Sequence, residues 1–213
     1  MRKLAVYTAI IGGYDQYVQP PQGNYDLFLF SDVERGPGWG KLRVIKPEFE
    51  DPTRDARKIK ILSHKWFPEY EYTLWMDGCV RAPDFDSDRL IESWLQGKDL
   101  ATFQHPERDC LYQEATIVSH FLRDKPEIIK SQIGRYRALG FPPGKGLAET
   151  RILLRKNTKT VALFNDCWWN EIVHGCRRDQ VSFPFATWFS RLEYRLMEGL
   201  AIDQGFAYVP HLK

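Results

Sequence analysis

The sequence predicts a single α/β domain with a mostly parallel, twisted sheet flanked by helices, and three observations predict it. Residues 4–11 (LAVYTAII) form a near-continuous apolar run, as expected of a strand buried on both faces. Strand-like runs then alternate with helix-like segments along the chain. The 213 residues suffice for one larger domain, and they contain no internal repeat, low-complexity tract or linker that would divide two. After the first strand come YDLFLFSD (25–32) and KLRVIKP (41–47), set off by breaks containing Pro20-Pro21, Gly23-Asn24 and Gly36-Pro37-Gly38. Residues 51–67 (DPTRDARKIKILSHKWF) read as a helix: Asp51 caps it, Pro52 suits its first turn, and Ile59, Leu62 and Trp66 form an apolar stripe. YTLWMDGCV (72–80) is a buried strand ending on Asp77. The order so far is β-β-β-α-β. A helix over 86–97, a strand over 99–106 and two helical pieces within 115–140, divided before Pro126, follow. A strand over 150–157, a helix over 158–175, a loop over 176–184 and a last helix over 188–203 complete the chain.

Composition narrows the function. Thirty basic and 28 acidic residues leave a formal charge of +2, too balanced to argue for bulk nucleic-acid or membrane binding. The four cysteines form no C-x-x-C pair and have no histidines at zinc-finger spacing, which fits free thiols in a reducing compartment. The amino-terminal apolar run is interrupted by Gly12-Gly13 and reads as a strand rather than a signal peptide. No run reaches transmembrane length, so a cytoplasmic protein, at most peripheral to a membrane face, is expected. Seven tryptophans are many for this length; core packing accounts for most, though aromatic platforms also serve sugar and base sites.

Chains of this class bind ligands beyond the carboxyl ends of their strands, which draws attention to four constellations. In TAIIGGYD (8–15) the double glycine lets backbone approach a ligand and Tyr14 can stack on a flat ring, although a plain turn explains the same residues. No G-x-G-x-x-G or G-x-x-x-x-G-K is present. On the basic helix, Arg54, Lys58 and Lys65 share a side at i, i+4 and i+11, with Arg57 and Lys60 flanking; they form either a solvated face or a counter-charge for phosphate. Asp77, at a strand tip, either begins an Asp-Gly turn or ligates a divalent cation. HGCRRDQVSF (174–183) is either a surface salt-bridge turn or a recognition loop, in which Asp179 and Gln180 offer donors and acceptors suited to sugar hydroxyls and Asp179 suits a general base.

Together these segments resemble the GT-A nucleotide-sugar glycosyltransferases, and most closely the TOD1/MUCI70 glycosyltransferase-like family. VYTAIIGGYD, FLFSD, RDARKIKILSHKWFPEYEYTLWMDG, HPERDCLYQEA, GLAETRILLRKN and CRRDQVSFPFA carry the match, from residue 6 to at least 187. The resemblance implies a GT-A-like fold with a nucleotide-donor half over about 1–97 and an acceptor half over about 98–213. It implies that Thr8, Gly13, Tyr14 and Asp32 hold the nucleoside, that Arg54 and Lys58 face the diphosphate, and that Asp179 and Gln180 grip the donor sugar. Asp77 stands where GT-A enzymes carry the first acid of an Asp-x-Asp motif; Cys79 replaces the second, and a thiol is a poor ligand for hard Mg²⁺. With His211, Asp77 would ligate Mn²⁺ or Mg²⁺. Glu149 would bind sugar hydroxyls or be the catalytic carboxylate; an inverting transfer would use Asp179 or Glu149 as base, a retaining one the assistance of the leaving phosphate, and His105, Arg108 and Glu114 would line the acceptor side.

The expected function is transfer of a sugar from a nucleotide diphosphate donor, a UDP-sugar in first place, to a glycan, lipid-linked or macromolecular acceptor, with metal and Arg/Lys charge stabilising the leaving diphosphate. Two other functions compete. One is a non-catalytic carbohydrate- or protein-binding relative, which Cys79 favours. The other is a sugar-nucleotide nucleotidyltransferase, which the lack of a basic residue in GGYDQYVQP disfavours.

Overall fold

The structure is a computed structural model that describes residues 2–34 and 38–212; Gly36 and Pro37 of the expected turn lie outside the described residues. Strands β1 (Leu4–Ile10), β2 (Asp26–Ser31), β3 (Lys41–Val44) and β4 (Tyr72–Met76) run parallel in the order β3-β2-β1-β4. A short strand β5 (Val80–Arg81) leaves the sheet. The sheet then continues with β6 (Leu100–Gln104), β7 (Ala148–Lys156) and β8 (Arg195–Met197), giving seven strands ordered β3-β2-β1-β4-β7-β6-β8. Only β7 is antiparallel to its neighbours in this sheet. Near the C-terminus, β9 (Ala207–Tyr208) pairs with β5 as a small ribbon. This mostly parallel single-domain α/β architecture is consistent with a GT-A-like fold.

The period of two along β1 builds both faces of the core. Ala5, Tyr7 and Ala9 join one apolar cluster, while Leu4, Val6 and Ile10 join the other. Helices α1 (Pro52–Ile61), α2 (Ser63–Trp66) and α3 (Ser87–Leu95) flank the sheet. Asp51 caps α1 by accepting from Thr53 N at 3.0 Å, and Ile59 and Ile61 bury against Tyr7 and Trp75. On the opposite face α3, capped by Asp86, places Leu90, Ile91 and Trp94 against Phe103 and Phe206. Helices α4 (Leu111–His120), α5 (Pro126–Ala138), α6 (Lys159–His174) and α7 (Asp179–Ser190) complete the chain, with α4, α5 and α7 enclosing a third cluster around Tyr136 and Phe185.

Three expectations need correction. The helix expected over 51–67 breaks at Leu62, whose backbone leaves helical geometry, so α1 and α2 are separate. Residues 176–184 are not a loop throughout, since α7 begins at Asp179; conversely, 188–203 is not a helix but holds the end of α7, β8 and a 3-10 turn at Ala201–Gln204. Pro184 lies inside α7 and removes one internal hydrogen bond. Ten of the twelve residues of α7 are buried, so no polar stripe marks its period.

Candidate functional site

The parallel strands β1 and β4 end on the same rim, and the first half of the antiparallel β7 extends past it, because Met76 at the end of β4 pairs with Ile152 midway along β7. A cavity of about 370 Å³ opens at this rim, within the range of small-molecule sites. The first turns of two helices face it, Pro52 and Thr53 from α1 and Asp179 and Gln180 from α7. Five arginines line it (Arg57, Arg123, Arg151, Arg177 and Arg178) against four acids (Asp15, Asp77, Glu149 and Asp179). Helix amino-termini and guanidinium groups both favour anions.

At the floor, Lys60 has no exposed side-chain surface and places its ammonium 2.6 Å from Asp179 Oδ2 and 3.1 Å from Asp77 Oδ1. Arg57 Nε stands 3.3 Å from Asp179 Oδ1. These cations overcome the cost of burying Asp179 and hold its carboxyl well below the usual carboxylate range. The backbone around Lys60 is also fixed: Tyr7 OH and the buried Arg155 both donate to its carbonyl, at 2.8 and 2.7 Å. Asp77 Oδ1 accepts from Trp75 Nε1 at 2.7 Å in addition to Lys60. Sequence reasoning mentioned Lys60 only as a flanking residue. The signal was a lysine set between Ile59 and Ile61 in the apolar side of α1.

One wall belongs to β7. Both oxygens of Glu149 accept from Tyr208 OH, at 3.2 and 3.1 Å, and Arg151 Nη1 is 3.3 Å away. Burial raises the Glu149 carboxyl above its ordinary value, with Arg151 and Tyr208 pulling the other way. Next to it, buried Thr150 has φ 62°, a left-handed conformation that a β-branched residue rarely adopts. Its hydroxyl donates to Asp179 Oδ2 at 3.2 Å and accepts from Lys60 at 3.4 Å, so polar contacts to the floor hold the strained residue. Gln180 Nε2 donates to the Glu149 carbonyl at 3.0 Å and its Oε1 accepts from Arg178.

At the mouth, the C-terminal tail crosses the loop after β1. Tyr14 packs on His211 with ring centroids 4.5 Å apart, and His211 Nδ1 lies 2.5 Å from Asp15 Oδ1. Cys79 is buried beside them; burial, with Asp77 and Asp15 nearby, pushes its thiol up to about 12. Donor atoms of Asp15, Cys79 and His211 all lie within 4.8 Å of one another, a group that does not include Asp77.

The structure therefore brings Tyr14, Asp77, Glu149, Asp179, Gln180 and His211 to one cavity. It places the others elsewhere. Arg54 donates to the carbonyls of Ile172 and Gly175, and Lys58 pairs with Glu48, so the helix face turned to the cavity carries Arg57 instead. Thr8 is buried inside β1. Asp32 accepts from Gly12 N at 2.8 Å, which fixes the turn in which Gly12 and Gly13 both take positive φ. His105, Arg108 and Glu114 form their own network, with Arg108 Nε donating to Glu114 at 2.7 Å, and none lines the cavity. Lys60, Arg151 and Tyr208 were missed as site residues, and Asp15, within the rim segment TAIIGGYD, had no role assigned; Asp15 and Tyr208 depend on partners 196 and 59 residues away and Lys60 on Asp77 and Asp179, whereas Arg151 stands two residues from Glu149 in β7 with no motif to mark it.

No described helix is long and apolar enough to cross a membrane. The chain is 28% identical over 156 residues to the probable hexosyltransferase MUCI70 of Arabidopsis thaliana, an alignment covering 68% of this chain and 26% of that protein. It thus spans about a quarter of the relative's length. Residues 31–199 match the TOD1/MUCI70, glycosyltransferase-like domain, and over that extent the match identifies the chain as a member of the TOD1/MUCI70 glycosyltransferase-like family.

Proposed function

We propose that this chain is a glycosyltransferase that moves a sugar from a nucleotide diphosphate donor, a UDP-sugar in first place, to a hydroxyl of a glycan or other acceptor. The observation that carries this is the convergence of two helix amino-termini and an arginine wall on one cavity whose other wall presents the Glu149 carboxylate. The named activity of the plant relative points the same way. Arg177 and Arg178, with the first turns of α1 and α7, hold the diphosphate. Arg57 and Lys60 keep Asp179 ionised and fixed, and Gln180 orients donor-sugar hydroxyls. Tyr14, at the mouth, stacks on the base.

Glu149 is the better candidate base. Its raised carboxyl faces the cavity, whereas Asp179 is buried between two cations. In an inverting transfer it takes the proton of the acceptor hydroxyl; that oxygen forms the new bond to the anomeric carbon, and the bond to the diphosphate oxygen breaks. The electron pair leaves with the diphosphate, whose charge the arginines offset. The Mn²⁺ or Mg²⁺ expected from the resemblance finds a poor donor pair in Asp77 and His211. Lys60 and Trp75 engage Asp77 Oδ1, and the donor atoms that cluster with His211 are those of Asp15 and Cys79, not of Asp77. No step is assigned to that ion.

Calorimetric titration of UDP and GDP into wild type and Arg178→Gln tests the proposal, followed by donor hydrolysis with a panel of UDP-sugars. UDP binding that weakens about tenfold or more in the variant is expected, as for loss of a charge-assisted bidentate contact. Absence of nucleotide binding in the folded wild type would overturn the donor site and favour a non-catalytic binding domain.

A further inference from the structure

The side chains of Asp15, Cys79 and His211 come from three segments distant in sequence, the loop after β1, the loop after β4 and the C-terminal tail. Their donor atoms nevertheless lie within 4.8 Å of one another. Backbone bonds beside each donor brace this convergence. Leu212 N donates to Tyr14 O at 3.0 Å, which ties the residue after His211 to the residue before Asp15. Val209 N donates to Cys79 O at 2.8 Å, and Val80 pairs with Tyr208 in the β5–β9 ribbon. A Cβ at Gly78 would come within 2.6 Å of Asp15 Oδ2, so the absence of a side chain there is what admits the carboxylate beside Cys79.

One thiol, one imidazole and one carboxylate make a mixed S, N, O donor set, suited to Zn²⁺ and similar soft or borderline ions and unsuited to Mg²⁺. Three protein ligands leave a fourth tetrahedral position open toward the cavity that these residues line. Tetrahedral bonds of about 2.0 Å to nitrogen and oxygen set those two donors about 3.3 Å apart. The Asp15–His211 pair, at 2.5 Å, reaches that separation by a small side-chain adjustment. The carboxylate of Asp77 is meanwhile engaged by the ammonium of Lys60.

We propose that Asp15, Cys79 and His211 form a binding site for a thiophilic divalent cation, Zn²⁺ in first place, displaced from Asp77 and closed by the C-terminal tail. The site stands on these donors alone and does not rest on the transferase reading. Bound there, the ion would fasten the tail to the loop after β1 and place a positive charge at the cavity mouth.

The test is spectroscopic and uses the whole chain, stripped with a chelator and dialysed, with Co²⁺ as the probe. Wild type is expected to bind one equivalent with a near-ultraviolet thiolate-to-cobalt charge-transfer band, which Zn²⁺ abolishes by displacement and excess Mg²⁺ does not. Cys79→Ser should lose the band. His211→Ala, at an exposed position, should weaken Co²⁺ binding about tenfold or more, since even outer-shell changes have effects of that size. Asp77→Asn should keep the band, and circular dichroism on each variant confirms that it is folded. Failure of folded wild type to bind Co²⁺, a band that survives in Cys79→Ser, or a band that disappears in folded Asp77→Asn would each overturn the proposal. Because no nucleotide is present, failure here is distinguishable from failure of the donor site.

Discussion

Replacing Lys60 by methionine keeps most of the length and the apolar stem of the side chain and removes one buried charge. Two carboxylates lose it, Asp179 at 2.6 Å and Asp77 at 3.1 Å. Breaking a buried ion pair by removing one partner costs about 3–5 kcal/mol. Here the lower end applies, because Asp179 keeps Arg57 at 3.3 Å and Asp77 keeps the Trp75 indole at 2.7 Å. About 3 kcal/mol corresponds to a melting temperature lower by about 6–12 °C for a domain of this size. Asp179→Asn in the Lys60→Met background should recover part of the loss, because it removes the charge left under-compensated; the double-mutant cycle should give a coupling of about 2 kcal/mol. Acid sensitivity supplies a second check. The folded carboxyl of Asp179 lies below its ordinary 3.8, so its contribution is complete above that pH and is lost only as pH falls below it toward the folded value. In Lys60→Met the folded value rises toward 3.8, and the contribution shrinks at every pH. A loss under about 1 kcal/mol by thermal and urea unfolding, or additive single mutants, would refute the view that Lys60 binds the two acids as one unit.

Further outcomes are expected. Glu149→Gln should reduce transfer rate about 10²–10⁴-fold, as for loss of a general base, with UDP affinity by calorimetry little changed. Since burial holds the Glu149 carboxyl above 4.5 and Tyr208 counteracts that, activity should fall on the acid side above pH 4.5. Tyr208→Phe should move that limb to still higher pH in a kcat profile. Gly78→Ala should push Asp15 away and weaken Co²⁺ binding in a spectroscopic titration, with a stability cost on the order of 1 kcal/mol. Arg155→Leu leaves the Ile61 carbonyl and Asn165 Oδ1 without their buried donor, leaves the Lys60 carbonyl with Tyr7 OH alone, and should cost about 3 kcal/mol in urea unfolding.

Much of the frame was legible because local chemistry agreed with global packing. The Asp51 cap, Pro52 and Ile59 mark α1, and the apolar run of β1 announces a strand covered on both faces. Asp77 was legible as a rim residue because the apolar run of β4 stops there. The face of α1 turned to the rim was not. Residues 53, 57 and 60 lie within a narrow arc at 100° per residue, while 54 and 58 lie about a quarter-turn away, and periodicity alone does not say which arc meets the cavity. Helix α7 was hidden by Pro184 and by burial all round. Asp15 and Tyr208 owe their roles to partners 196 and 59 residues distant, which no local pattern encodes.

The antiparallel strand in the middle of the sheet constrains how the molecule can be assembled or cut. Strand β7 is made after β6 yet lies between β4 and β6, so the two flanking strands must wait for it rather than pair with each other. A fragment ending near residue 97 would leave β4, apolar on both faces, as an open edge ready to recruit another chain. The donor and acceptor halves implied by the family resemblance share one sheet through β7. Swapping one half between relatives should yield insoluble protein unless β7 travels with the strands it joins, and a limited-proteolysis series should show the two halves opening together.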